Sequence, residues 1–146
     1  MSTKYSQGIY QPVNGAKYIG KLPITFRSSW ELSVMRVLDA HPNVTQWASE
    51  SVSIPYMHPL TNKWTFYIPD LMIVFTDKTG NRRAELIEIK PAKEAYDDRA
   101  KSKRDKLTLA VNKAKWLAAT AWCAKHGLTF RILTEDQLFA KGNKRK

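Results

Sequence analysis

Two apolar runs joined by a short turn constrain the fold more than any other feature of this 146-residue sequence. Residues 64–75 and 84–89 have the aromatic and β-branched content of buried strands, and residues 76–82 are rich in turn formers. The pattern predicts an antiparallel hairpin. If the hairpin is centred near Thr79-Gly80, the numbers of opposed residues sum to about 159.

Charged side chains interrupt both strands. Asp70 lies within the first run, and Glu88 and Lys90 within the second. The register places Asp70 opposite Glu88 or Ile89, and Glu88 and Lys90 share a face because they are two residues apart. Buried like charges repel each other, and a divalent cation with hard oxygen ligands, Mg²⁺ or Mn²⁺, relieves that repulsion. We therefore predict a metal site at Asp70 and Glu88; the alternative is that both carboxylates only pair with Lys90 and nearby arginines.

The elements around the hairpin predict a small α/β domain. Helical spacing of apolar residues predicts helices from Ser28 to about Ala40 and from about Asp97 to His126, the basic first part of the second being a possible loop. Short strands are expected within residues 44–56 and at 128–133. The order αβββαβ predicts a central mixed β-sheet flanked by helices.

Three segments are expected along the chain. Residues 1–26, rich in Gly, Pro and Tyr, predict an irregular N-terminal arm. Residues 27–140 form the predicted domain, and residues 141–146 predict a basic disordered tail. No apolar run approaches the ~18 residues of a membrane span, and a lone cysteine excludes an internal disulfide. These features predict a soluble protein that is neither secreted nor membrane-bound.

The charge is concentrated in the second half of the chain. The formal net charge is +11. Residues 1–77 carry six basic and five acidic side chains, and residues 78–146 carry eighteen and eight. Such an excess predicts a polyanionic partner, DNA first, because neutralising phosphates releases counterions. The cations expected to contact phosphates are Arg99, Lys101, Lys103, Arg104, Lys106, Lys113 and Lys115.

Helical spacing refines the roles of this basic segment. Asn112 and Lys115, at i and i+3, share a helix face, and we expect them to face the acidic cluster. Lys113 lies on another face and is expected to point outward. Arg27 precedes the first helix, where it can contact a phosphate near the helix N-terminus.

Glu31 has two interpretations. It borders the core-facing stripe of the first helix, which makes it a candidate third carboxylate of the acidic site. Ser28-x-x-Glu31 is also a capping box, in which Glu31 only closes the helix N-terminus. Spacing does not decide between the two.

The motif Pro69-Asp70 … Glu88-Ile89-Lys90 resembles that of the PD-(D/E)XK nuclease superfamily. With further segments, the chain resembles more closely the head-completion nucleases of tailed phages, a family similar to the N-terminal endonuclease domain of TnsA. These segments are residues 25–31, 47–56, 87–91, 112–116 and 130–136. The resemblance implies a restriction-endonuclease-like core and metal-dependent cleavage of DNA late in head assembly, before the tail joins.

The resemblance also implies roles for individual residues. Asp70 and Glu88 bind the metal, Glu31 binds a second metal or orients water, and Lys90 activates the nucleophile; the Ile89 carbonyl is a further expected ligand. Phage head or portal proteins are expected as partners, in the host cytoplasm or the virion. Two alternatives stay open: a non-catalytic adaptor that binds DNA or the portal, and a junction-resolving nuclease of the same fold. The sequence leaves the oligomeric state open.

Overall fold

The computed structural model describes residues 7–138, which form eight strands and three helices within that range. The strands are β1 (Gly8–Tyr10), β2 (Ile24–Phe26), β3 (Val44–Ser49), β4 (Ile54–Met57), β5 (Trp64–Tyr67), β6 (Leu71–Thr76), β7 (Arg82–Ile89) and β8 (Thr129–Leu133). The helices are α1 (Ser29–Ala40), α2 (Lys103–His126) and α3 (Glu135–Leu138). The predicted tail, 141–146, lies outside the described residues.

A four-stranded sheet in the order β3-β6-β7-β8 forms the centre of the fold. β3, β6 and β7 are antiparallel neighbours, whereas β8 pairs with β7 in parallel after the chain crosses over through α2. Alternate residues of β7 point to opposite faces, so Ile87 packs on the α1 side and Leu86 on the α2 side. The predicted mixed sheet flanked by helices is confirmed.

The predicted strand 64–75 is divided into two strands that belong to different sheets. β6 stays in the central sheet, while β5 pairs with β4 in a separate two-stranded ribbon packed against α2. The break falls at Ile68-Pro69-Asp70. Pro69 lacks the N–H that a central strand donates to its neighbour, so the ladder ends there. The interruption leaves Asp70 at the edge of the central sheet.

Helix α2 is shorter at its start than the pattern from Asp97 predicts. It begins at Lys103, where the Ser102 hydroxyl accepts a hydrogen bond from the Asp105 N–H at 3.0 Å. It ends at Gly127, whose left-handed φ of 75° confirms the predicted glycine cap. Within the part of the predicted helix before Ser102, Arg99 lies in a short 3₁₀ helix (Asp97–Arg99) and Lys101 in the loop that follows.

The N-terminal arm is more regular than predicted. Within its described part, β1 pairs with β2, and Asp39 at the end of α1 anchors the segment between them. The Asp39 carboxylate is 1% exposed and accepts hydrogen bonds from the Tyr10 hydroxyl (2.6 Å) and the Val13 and Asn14 amides (2.6 and 2.9 Å). The buried Asp39 carboxylate thus supplies the acceptors that order this part of the arm.

Candidate active site

The β6–β7 hairpin brings the two predicted carboxylates together. Leu71 pairs with Ile87 across the two antiparallel strands. One position further along the same register, Asp70 is opposite Glu88. The Asp70 carboxylate accepts a hydrogen bond of 2.7 Å from the Ile89 amide, which fixes its position against β7. The predicted register, with Asp70 opposite Glu88 or Ile89, agrees with this arrangement.

Glu88 is buried and held by two side chains. It is 4% exposed, and its Oε1 accepts a hydrogen bond of 2.7 Å from the Tyr67 hydroxyl. Its Oε2 lies 3.6 Å from the Lys90 ammonium on the same strand face. Tyr67 comes from the inner face of the β4–β5 ribbon, so tertiary packing adds a donor to the hairpin pair.

Burial opposes the charge on both carboxylates. Desolvation and the neighbouring Glu88 charge raise the pKa of Asp70 to about 8. Desolvation also raises the pKa of Glu88, although the Tyr67 hydroxyl and the charges of Lys90 and Lys115 counteract it. Two partly uncompensated carboxylates that repel one another are suited to a cation that neutralises both.

Glu31 has a capping function and also lies near the acidic pair. Its N–H donates to the Ser28 hydroxyl at 3.1 Å, and its carboxylate accepts from the Arg27 N–H at 3.1 Å. In a standard capping box the glutamate carboxylate accepts from the N–H of the N-cap residue, which is Ser28 here. In this protein it accepts instead from the residue before the N-cap, Arg27. Desolvation raises the pKa of Glu31, and its charge acts on Asp70. The structure shows the capping contacts of Glu31, and its role at the acidic site stays a prediction.

Arg27 and Glu50 form an ion pair at the border of the site. The Glu50 N–H donates to the Asp70 carbonyl at 2.9 Å, and Glu50 has a left-handed φ of 49° at the end of β3. The sequence singled out Arg27 as a phosphate contact; the structure shows its guanidinium paired and largely exposed. Glu50 was missed as a site residue because its position depends on the turn after β3.

Of the two residues expected to face the acidic cluster, the structure brings only Lys115 to it. Its ammonium lies 5.7 Å from the centre of the Tyr67 ring, and desolvation and the charge of Lys90 lower its pKa. Asn112 is 3% exposed and donates to the Glu94 carbonyl at 3.0 Å. A buried amide that holds a loop presents little surface to DNA, and its DNA contact stays an untested prediction.

The other predicted DNA-contacting cations fall into two groups. Arg99 pairs with Asp136 at 3.0 Å, and Lys113 pairs with Asp97 at 2.7 Å on the exposed surface where it was expected. The second group is exposed and makes no ion pair within the described part of the chain: Lys101, Lys103, Arg104 and Lys106. These four lie around the N-terminus of α2.

The donor set at the acidic pair can be compared with what a metal requires. Among residues 7–138, no group of three or more His, Cys, Asp or Glu side chains is close enough to hold a metal ion. Asp70 and Glu88 are two hard carboxylates in a desolvated, mutually repelling pair. They fit Mg²⁺ or Mn²⁺, which bind through one or two carboxylates and complete their coordination with water and substrate phosphates.

Comparisons with known proteins identify the family. The fold is a central mixed sheet flanked by helices, and residues 41–135 match the model of the TnsA-like endonuclease N-terminal family. The chain belongs to this family. It is also 38% identical, over 94% of its length and 96% of the relative's, to the head completion nuclease of Enterobacteria phage T4.

Both matches support a nuclease and confirm the resemblance that the sequence suggests. The family match includes Asp70, Glu88 and Lys90, whereas Glu31 and Arg27 precede it. Within residues 7–138, no helix combines the length and apolar content needed to cross a bilayer.

Sequence reasoning missed Tyr67 as a site residue. It was treated as part of one continuous buried strand, so no separate role was visible. The signal that points to it is Pro69, which divides the strand and lets Tyr67 approach Glu88 from a second sheet.

Proposed function

We propose that this protein is a divalent-metal-dependent DNA endonuclease that hydrolyses phosphodiester bonds. The observation that carries the proposal is the buried pair Asp70 and Glu88 beside Lys90, at the edge of a sheet in a chain of +11 net charge. Asp70, Glu88 and the Ile89 carbonyl would hold Mg²⁺ or Mn²⁺. When bound, such a cation polarises the phosphoryl oxygens and favours deprotonation of water.

The side chains around the pair have separate tasks in this proposal. Tyr67 donates to Glu88 and thereby orients the carboxylate, as outer partners of metal ligands do. Lys90 places a positive charge where it can position the attacking water and stabilise the charge that develops on the phosphate. Glu31, at the start of α1, would orient water or hold a second cation. Lys115 supplies a further positive charge beside Tyr67.

The exposed cations at the start of α2 support DNA as the substrate. Lys101, Lys103, Arg104 and Lys106 have no acidic partner among the described side chains, so each is available to a phosphate. A polyanion bound there releases counterions, and its affinity falls steeply with salt. Arg99, Lys113 and Arg27 would exchange acidic partners for phosphates.

The relative's name suggests the biological setting. We place the cleavage in phage head completion, before tail joining, with head or portal proteins as partners in the host cytoplasm or the virion. The support is the 38% identity over nearly the full length of both chains.

The test incubates supercoiled plasmid and linear duplex with the protein in Mg²⁺, Mn²⁺ or EDTA, beside Asp70→Asn and Lys90→Ala. We expect metal-dependent nicking or linearisation that both variants lose by orders of magnitude while binding DNA. Asp98→Asn, which removes an exposed carboxylate, is the matched control and should cleave normally. Cleavage in EDTA, or undiminished cleavage by Asp70→Asn, would contradict the proposal; DNA binding with no cleavage in either metal would favour the adaptor function.

A further inference from the structure

The outer face of the β4–β5 ribbon carries a row of exposed apolar side chains. Met57 pairs with Trp64 and Pro55 with Phe66, so these four residues share one face. Trp64 is 69% and Phe66 67% exposed, and Ile68, two residues further along, is 50% exposed. The opposite face, with Ile54, Tyr56 and Tyr67, is buried against α2. We call Met57, Trp64, Phe66 and Ile68 the aromatic stripe.

Exposed aromatics in such a row are uncommon on a surface that has no partner. A ribbon of this size needs only its inner face to pack on α2, so Trp64 and Phe66 contribute little to the folded core. They stand about 6.8 Å apart along the strand and present two rings to the same side. This spacing allows each ring to contact a separate flat group.

The aromatic stripe lies close along the chain to the candidate active site. Phe66 is followed by Tyr67, whose hydroxyl donates to Glu88, and Asp70 is four positions after Phe66. A span of four residues is at most about 14 Å, which corresponds to about four base-pair steps of duplex DNA. Phe66 therefore lies within about four base-pair steps of Asp70 along the chain, with its ring on the ribbon face opposite Tyr67.

The charge around the aromatic stripe complements a phosphate backbone. Leu60, at the tip of the ribbon, lines one surface cavity together with Lys103 and Arg104 at the start of α2. Lys63 directly precedes Trp64 and is exposed. Aromatic rings bordered by unpaired cations are typical of surfaces that bind single-stranded nucleic acid, where the rings stack on bases and the cations follow the backbone.

We propose that the aromatic stripe binds unpaired bases, so that the preferred substrate is DNA with unpaired nucleotides beside the scissile phosphate. The inference rests on the proposed function for its choice of DNA. Paired bases present only their edges, whereas unpaired bases expose the flat faces that Trp64 and Phe66 can stack against.

Fluorescence anisotropy in EDTA tests this without requiring cleavage. Wild-type protein is titrated with labelled forked duplex, whose arms are unpaired, and with blunt duplex of the same length. We expect tighter binding to the fork. Trp64→Ala and Phe66→Ala should each weaken fork binding about 5- to 150-fold, the range for loss of one stacked base. Trp64→Phe, which keeps an aromatic ring, should retain most of the preference for forked over blunt duplex.

Leu117→Ala is the matched control, since Leu117 is 77% exposed on α2 and outside the aromatic stripe, and it should leave both affinities unchanged. Equal binding of fork and blunt duplex by the wild type, or full fork preference in Trp64→Ala/Phe66→Ala, would overturn the inference. A change of oligomeric state by light scattering in that double variant, with unchanged DNA affinity, would also overturn it and assign the stripe to an interface between copies. Fork preference without cleavage in Mg²⁺ or Mn²⁺ would refute only the proposed catalysis.

Discussion

Replacing Asp70 by Asn should stabilise the metal-free protein although it destroys the proposed site. Asn keeps an oxygen that accepts the Ile89 amide, and it removes one of two buried negative charges. Residues arranged for catalysis are often unfavourable for folding when their substrate or cofactor is absent. The acidic pair of the proposed site is unfavourable in this way, because neither carboxylate is fully neutralised by Lys90.

The size of the effect follows from the pKa of Asp70, which burial and Glu88 raise from 3.8 to about 8. An acid whose pKa is higher in the folded state lowers the free energy of unfolding once it ionises. This free-energy penalty is nearly absent below about pH 4, grows as the pH rises, and levels off near pH 8. At about 1.4 kcal/mol per unit, the penalty is about 2 kcal/mol at pH 5 and about 4 to 5 kcal/mol at pH 7. Asn carries no such penalty.

Urea denaturation of the wild type and Asp70→Asn in EDTA, at pH 5 and pH 7, measures this difference. The free energy of unfolding of Asp70→Asn should exceed that of the wild type at both pH values, and the difference should be about 3 kcal/mol larger at pH 7 than at pH 5. Excess Mn²⁺ or Mg²⁺ should stabilise the wild type alone, by about 2.7 kcal/mol at a hundredfold excess over the Kd. If the difference in free energy of unfolding did not depend on pH, and Asp98→Asn showed the same difference, the burial and charge repulsion assigned to Asp70 would be refuted.

Three further changes test the surrounding structure. Asp39→Ala should lower the free energy of unfolding by about 3 kcal/mol in urea, because the Tyr10 hydroxyl and two amides lose their acceptor. Burial raises the pKa of Asp39, but these bonds outweigh it and depress the pKa, so its stabilisation should fade as the pH falls below about 4. Tyr67→Phe should slow cleavage about 10- to 100-fold and shift the metal titration, because Glu88 loses its donor. Gly127→Ala should cost about 1 kcal/mol, since φ is 75° there.

Each of these has a matched control. Asp98→Ala removes an exposed carboxylate and should leave the urea midpoint unchanged. Tyr56→Phe removes a hydroxyl from the same buried ribbon face, away from Glu88, and should cleave normally. Gly15→Ala has open space around its Cβ and no positive φ, so it should be neutral. Equal losses in a variant and its control would contradict the contact assigned to that residue.

Much of the acidic site could be predicted because a hairpin is local. The turn between β6 and β7 sets the register, and the register determines that Asp70 meets Glu88 across the pair. Lys90 follows from the period of two along the strand. Glu31 could be placed on the helix but not assigned, because a residue at a helix N-terminus can cap the helix and also act on a neighbouring charge.

The basic segment shows where spacing fails. Helical periodicity correctly put Asn112 and Lys115 on one face of α2. That face is wide, so two side chains on it can have different surroundings. Lys115 reaches the ring of Tyr67, whereas Asn112 packs under the turn that contains Glu94. Which side chain meets solvent is determined by the neighbouring loop, and its path is not encoded in the helix pattern.

The sequence by itself determined the elements and contacts that lie close along the chain: the hairpin, its register, both helices and the glycine cap at Gly127. Only the tertiary structure decided which distant groups complete them. Pro69 diverts β5 into a second sheet, and that diversion brings Tyr67 to Glu88 and exposes Trp64 and Phe66. The physical reason is that hydrogen bonding within a hairpin depends on a few adjacent residues, whereas packing across layers depends on how α2 buries its face against the whole sheet.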